Sequence, residues 1–229
     1  MWRGVYKKQI ILITFLFIFV ITAGLGNFRA KQLATDIVAA RANNVVQLLS
    51  ASLDMAEIER LALAPDERDP YFLALREQME KTLAEHELRG LYIVAKNEDF
   101  HWYYIVDGRG PEHPLYFPAG TVDDNIDDAM TERAVRGLDA SKRYAAGGSS
   151  ARISAYGGLQ APDGEYIAVV GADYDAMPMT QFLYTTKYAQ IFVVGAGFLL
   201  LALFRLLAPL WDENGRPLFG GGGSARIRK

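Results

Sequence analysis

Cysteine is missing altogether from the 229 residues. Disulfide staples, thiol nucleophiles and cysteine-ligated metals go with it, although an exported protein needs none of these. Histidine is nearly as scarce. His86, His101 and His113 are the only three, and none stands at a metal-ligand spacing such as H-E-x-x-H. The chain has no G-x-S-x-G elbow, no phosphate-binding P-loop and no Rossmann fingerprint. Gly108 and Gly110, and the glycine runs at 147–148 and 220–223, lack the strand-to-helix setting those loops require and read as turns or linkers. An excess of positive charge is absent too: the net charge is −3 and the sequence pI about 5.7, so no basic field points to nucleic acid. The expectation is a protein without enzymatic activity, cofactor, metal or nucleic-acid partner.

What the chain does have is two long apolar runs. Residues 9–28 carry no charge and are dense in Ile, Leu, Phe and Val. At about 1.5 Å per residue they span the roughly 30 Å hydrocarbon core of a bilayer. Arg3, Lys7 and Lys8 precede this run, which by the positive-inside rule puts the N-terminus in the cytoplasm. A cleaved signal peptide is the competing reading, with Thr22-Ala23-Gly24 as a poor cleavage site. The length of the run and the helical pattern beyond it favour an uncleaved anchor. Residues 188–211 form the second run, interrupted once by Arg205, which lies near enough to the far end to snorkel. Tyr184, Tyr188 and Trp211 fall where an aromatic belt would place them, and Arg216, Arg226, Arg228 and Lys229 then match a cytoplasmic C-terminus. Residues 220–224 read as a flexible linker, natural or engineered. The expected organisation is a cytoplasmic N-terminus at 1–8, a first span at 9–28, an extracytoplasmic domain at 29–187, a second span at 188–211 and a cytoplasmic tail at 212–229. A bacterial inner membrane, with the domain in the periplasm, is the setting this implies.

Between the runs lie the turn signals and most of the charge. Residues 29–53 continue as a helix, with Leu33, Ile37, Val45 and Leu49 and small Ala30, Ala34 and Ala42 at helical spacing. Such a stalk packs on a sister copy or on its own domain, and periodicity alone leaves both open. Asp54-Met55-Ala56-Glu57 is a D-x-x-E capping box that starts a helix through Leu63. Asp69-Pro70 starts another, with Phe72, Leu75, Met79 and Leu83 on one face. From residue 91 the period becomes strand-like: 91–95 and 101–106 predict one hairpin, and 152–159 and 166–174, joined at Ala161-Pro162-Asp163-Gly164, predict a second. Residues 123–136 predict a helix, its aspartates Asp123, Asp124, Asp127 and Asp128 suiting the N-terminal dipole better than a divalent cation. Helices first and an antiparallel sheet after them is an α+β pattern, one sheet face on the helices and the other available for a pocket.

Order and spacing over residues 29–180 resemble the extracytoplasmic Cache-type (PAS-like) sensor domains of bacterial sensor histidine kinases, diguanylate cyclases and chemoreceptors. The segment Asp66-Glu67-Arg68-Asp69-Pro70-Tyr71, with Leu73, Leu75, Leu83, Leu88 and Leu91-Tyr92, is similar to their lead-in helix and first strand. Trp102-Tyr103-Tyr104-Ile105-Val106-Asp107 looks like their second strand. Ser154-Ala155-Tyr156, then Asp163-Gly164, then Val169 to Asp175, looks like their closing hairpin. Two departures stand out. Gly147-Gly148-Ser149-Ser150 occupies the place of a common tryptophan- or tyrosine-glycine element, and 212–229 is too short for an output domain.

Alternation puts Arg152, Ser154 and Tyr156 on one strand face, opposite Ile153 and Ala155, and lets Trp102 and Tyr104 share a face. An arginine and a tyrosine together suit a carboxylate. The resemblance adds Asp173, at the position of the acidic residue that holds an amine in amino-acid-binding relatives. It implies a ligand site of Trp102, Tyr104, Asp107, Arg152, Tyr156 and Asp173 for an amino acid, carboxylate or amine. The expected function is small-molecule sensing and transmembrane signal input, through a cytoplasmic signalling partner or as the input part of a receptor, with a homodimer as the open oligomeric expectation. A membrane-tethered solute-binding module and an envelope assembly factor without ligand are the rival readings.

Overall fold

A computed structural model describes residues 3–123, 126–136, 143–144, 152–161 and 163–207. The chain divides into two compact units, one of Met1–Arg29 with Phe182–Lys229, the other of Ala30–Gln181.

The first unit holds the early part of α1 (Arg3–Ser52) and most of α5 (Met177–Leu207). Both helices are long and apolar enough to cross a membrane, and their apolar windows are not buried by protein. Phe15, Phe17, Phe192 and Phe198 all stand exposed, an arrangement that water penalises and lipid does not. The helices touch through the Gln190 side-chain amide, which donates to the Ala23 carbonyl at 3.3 Å. Thr14 and Thr22 return their hydroxyls to carbonyls one turn back, satisfying groups that lipid cannot.

In the second unit α1 is followed by α2 (Met55–Leu63) and α3 (Pro70–Glu85). Asp54 caps α2 by accepting from the Ala56 and Glu57 amides. Only half of the expected capping box forms, because Glu57 turns to Arg60 and the Asp54 amide donates to the Tyr71 hydroxyl at 3.1 Å. Asp69 caps α3 ahead of Pro70, as the sequence signals. The strands are β1 (Gly90–Lys96), β2 (Trp102–Asp107), β3 (Arg143–Tyr144), β4 (Arg152–Gln160) and β5 (Tyr166–Asp175). They form one sheet in the order β2-β1-β5-β4-β3, every described pair antiparallel. The β3 strand has no sequence forecast. The outer edge of β2 is closed by residues 120–123, through bonds such as Tyr104 N to Thr121 O at 3.0 Å.

The α+β expectation holds, and alternation sorts the sheet as forecast. Leu91, Ile93, Ala95, Ile105, Ala155, Ala168, Val170 and Ala172 pack with Ala42, Val45, Val46, Leu49, Ile58, Leu61, Phe72, Leu75 and Met79 of the helices. Each large side chain buried there stabilises the fold by about 1.5–3 kcal/mol relative to exposure. Two expectations are corrected. The stripe forecast along residues 30–49 is two faces: Ala42, Val45 and Leu49 are buried while Leu33 and Ile37 are exposed. Leu33 and Leu49 are sixteen positions apart, about 160° around the helix, too far to share one face. The helix forecast over 123–136 is also shorter. Here α4 spans Asp128–Val135, and Asp123 lies in extended chain, its amide bonded to the Trp102 carbonyl. Of the four aspartates, expected in and before its first turns, Asp127 and Asp128 stand at the start of α4, where the Asp127 carbonyl accepts from the Thr131 hydroxyl; Asp124 lies outside the described residues.

Candidate functional site

The sheet face turned away from α1–α3 carries Tyr92, Val94, Trp102, Tyr104, Tyr156 and Val169, covered by Ile126 and Ala134. Strand pairing arranges this face in rows. Gly90, Asp173 and Ser154 form one row across β1, β5 and β4, and Tyr92, Gly171 and Tyr156 form the next. Gly171 is what makes the second row work. A Cβ there would overlap the Tyr92 ring, so the phenol lies across β5 over the bare glycine. It thereby reaches the Tyr156 hydroxyl at 3.4 Å and Asp173 Oδ1 at 3.5 Å.

Asp173 is 6% exposed. Its other oxygen faces Arg152 Nη1 at 3.5 Å, with the Ser154 hydroxyl as a further partner. Both 3.5 Å contacts lie at the outer limit of hydrogen bonding, so the buried carboxylate is held loosely. Burial pushes its pKa up, and Arg152 and the Ser154 hydroxyl only partly oppose this. Burial likewise raises the phenols of Tyr92 and Tyr156, and both remain neutral hydroxyls at physiological pH. Partial burial works against the charge of Arg152, and Asp173 together with Tyr92, Tyr156 and Tyr104 outweighs it. The outcome is a carboxylate and a guanidinium side by side beneath aromatic rings.

The other candidates divide. Tyr104 meets Tyr92 edge-on, with ring centroids 5.6 Å apart, and donates to Asp123 Oδ2 at 3.0 Å. Phe117 stacks on it at 4.6 Å. Asp107 lies beside Tyr92 in register but is occupied: Arg109 forks onto it, with Nη2 to Oδ2 at 2.7 Å, and the Phe117 amide donates at 3.0 Å. Its role is to fix the loop that brings Phe117 onto Tyr104. Trp102 pairs with Lys96 whereas Asp173 pairs with Gly90. Six residues of strand separate the two rows, about 20 Å. Trp102 lies instead beneath the Lys96 ammonium, 5.2 Å from its ring, and Lys96 also pairs with Glu132 of α4. The structure thus brings Tyr156, Asp173 and Arg152 together, flanks them with Tyr104 and leaves Trp102 at the far end. Tyr92 was missed by sequence reasoning. The available signal was a tyrosine inside an otherwise aliphatic strand, complementing a glycine inside the aliphatic run of another. The segment Gly147-Gly148-Ser149-Ser150 lies outside the described residues.

Two solved structures similar to this chain come from the Campylobacter jejuni chemoreceptor Tlp3. Both are sensory domains. The ligand-binding domain in complex with L-valine is 11% identical, with a TM-score of 0.43 over 76% of this chain and 66% of that one. The sensory domain is 11% identical, with a TM-score of 0.44 over 78% of this chain and 66% of that one. The chain spans just under two thirds of the length of these domains. The chain matches no protein-family model and no curated protein.

Proposed function

We propose that the 30–181 unit is an extracytoplasmic sensor for a small amine, carboxylate or amino acid, held in a bacterial inner membrane by two spans with both termini in the cytoplasm. The observation that carries this reading is the buried, loosely held Asp173 carboxylate beside Arg152, under the Tyr92 and Tyr156 hydroxyls. An ammonium entering between the two would take Asp173 and stack against phenol faces, and a carboxylate on the same ligand would take the fork of Arg152. Binding would replace the long Arg152–Asp173 contact with shorter charge-assisted bonds, giving the ligand-free and ligand-bound states the different affinities that signalling requires. Transmission would run through the spans to a cytoplasmic partner, or to further parts of a receptor. A tethered solute-binding module would use the same site without transmission, whereas an assembly factor would have no use for the loosely held pair.

The test is a thermal-shift screen of the detergent-solubilised full chain against amino acids, amines and carboxylates. A ligand at about 100 times its dissociation constant adds about 2.7 kcal/mol, several degrees in Tm. The expected outcome is a saturable shift that Asp173→Ala and Arg152→Ala both remove. If none of these compounds shifts a folded protein, the sensor reading falls and the assembly role replaces it.

A further inference from the structure

Of the four glycines in the strands, three are explained by packing and one is not. A Cβ on Gly157, Gly158 or Gly171 would come within 2.2–2.4 Å of a neighbouring atom. Gly90, the first residue of β1, meets no such obstacle. A Cβ there would lie 3.8 Å from Asp173 Cβ, from Asp173 Oδ2 and from Cδ1 of Tyr92, which is ordinary van der Waals contact. Nor does Gly90 hold a positive φ. Glycine weakens a strand relative to alanine, having more freedom to lose and no side chain to pack. Neither the backbone nor the packing of β1 calls for it at this position.

What the bare position faces is the Asp173 carboxylate, its partner across β1 and β5. Tyr92 meets Oδ1 and Arg152 meets Oδ2, each at 3.5 Å, with the Ser154 hydroxyl also on the β4 side. The β1 side of the carboxylate ends on Gly90, which brings no side chain to it. A heavy atom in place of the absent Cβ would touch Asp173 Oδ2 and the Tyr92 ring at once. An ammonium is stabilised by both, by the carboxylate as counter-ion and by the ring through its quadrupole.

We propose that Gly90 is a specificity-determining residue of the site: the space its missing side chain leaves seats the ammonium of the ligand and sets how large that group can be. The inference rests on the sensor reading for the ligand, and on packing alone for the space. Gly90→Val or Gly90→Leu would lay methyl groups along Asp173 and close the seat.

The absence of native cysteine lets a single thiol report on this seat. Asp173→Cys in the detergent-solubilised full chain is treated with aminoethyl methanethiosulfonate, a small ammonium reagent, and with its bulkier trimethylammonium counterpart. The aminoethyl reagent should modify the thiol, and adding Gly90→Val or Gly90→Leu should slow it about tenfold or more, the scale on which pocket size discriminates. Adding Gly90→Ala should slow the trimethylammonium reagent more than the aminoethyl one. Glu98→Cys, exposed in the turn between β1 and β2, should react alike with and without Gly90→Leu. Gly90→Ala alone should melt no lower than the wild type; a clear drop would make the glycine structural and overturn the proposal. Rates indifferent to residue 90, or an Asp173→Cys thiol that neither reagent reaches, also overturn it, and a ligand found by thermal shift would then leave the sensor reading intact. In the converse case, a thermal-shift screen without a hit beside rates that depend on residue 90, the sensor reading falls and the open seat stands.

Discussion

At the scale of single residues the candidate site is a conflict that folding tolerates. Asp173 is buried where its charge is disfavoured, so its folded-state pKa lies above the ordinary carboxylate value of 3.8. The folded protein therefore holds this proton more readily than the unfolded chain does. The stability this group contributes is complete below that ordinary value and is lost as pH rises through the folded-state pKa. Asp173→Asn should accordingly melt a few degrees higher than the wild type at pH 7, about the shift that 1 kcal/mol gives a domain of this size. The gap should close as the pH falls toward 4. Melting curves across that range check the sign, and a variant less stable than the wild type at pH 7 would sink the account. The same variant should lose its ligand-induced shift, the pattern expected where a site is kept at the expense of stability.

Secondary-structure elements matter here through how closely they approach. Gly157 and Gly158 are consecutive on β4 and face opposite sides of the sheet. A Cβ on the first would run into Val46 of α1, and one on the second into the Ala134 carbonyl of α4. Gly171 performs the same service between strands by giving the Tyr92 ring its place over β5. Gly171→Ala should therefore cost about 1–3 kcal/mol by overpacking. Shortening the intruding side chain should recover most of that loss, so Gly171→Ala with Tyr92→Leu should be less unstable than the two single costs summed. Denaturant titration of all four proteins reads the coupling. Strict additivity would mean that ring and glycine are not in contact. Caps and turns were legible at this scale from residues such as Asp54, Asp69-Pro70 and Gly164. The start of α4 was not, because the pairing of Asp123 with Trp102 of β2 takes precedence over the acidic residues' local preference for a helix N-terminus.

For the whole molecule the question is which parts face which side of a membrane. With no native cysteine, single cysteines report this directly. Replacements at Glu98 and Asp163, both exposed in the 30–181 unit, should react with a membrane-impermeant maleimide in intact spheroplasts. A replacement at Lys7 should react only after permeabilisation, and the opposite pattern would invert the proposed topology. The sequence by itself determined the two apolar helices, the starts of α2 and α3, the strands of the two hairpins and the sheet faces of residues such as Trp102, Tyr104, Ser154 and Tyr156. These follow from hydrophobic periods and capping contacts within a few residues of one another. Only the tertiary structure decided the register between strands far apart in sequence. That register laid Tyr92 over Gly171 and set Asp173 beside Gly90, at the end of β1 away from Lys96 and Trp102. Alternation assigns a side chain's face but not its place along the strand, and an irregularity such as the register shift between Ile93 and Val94 arises only once two strands have paired.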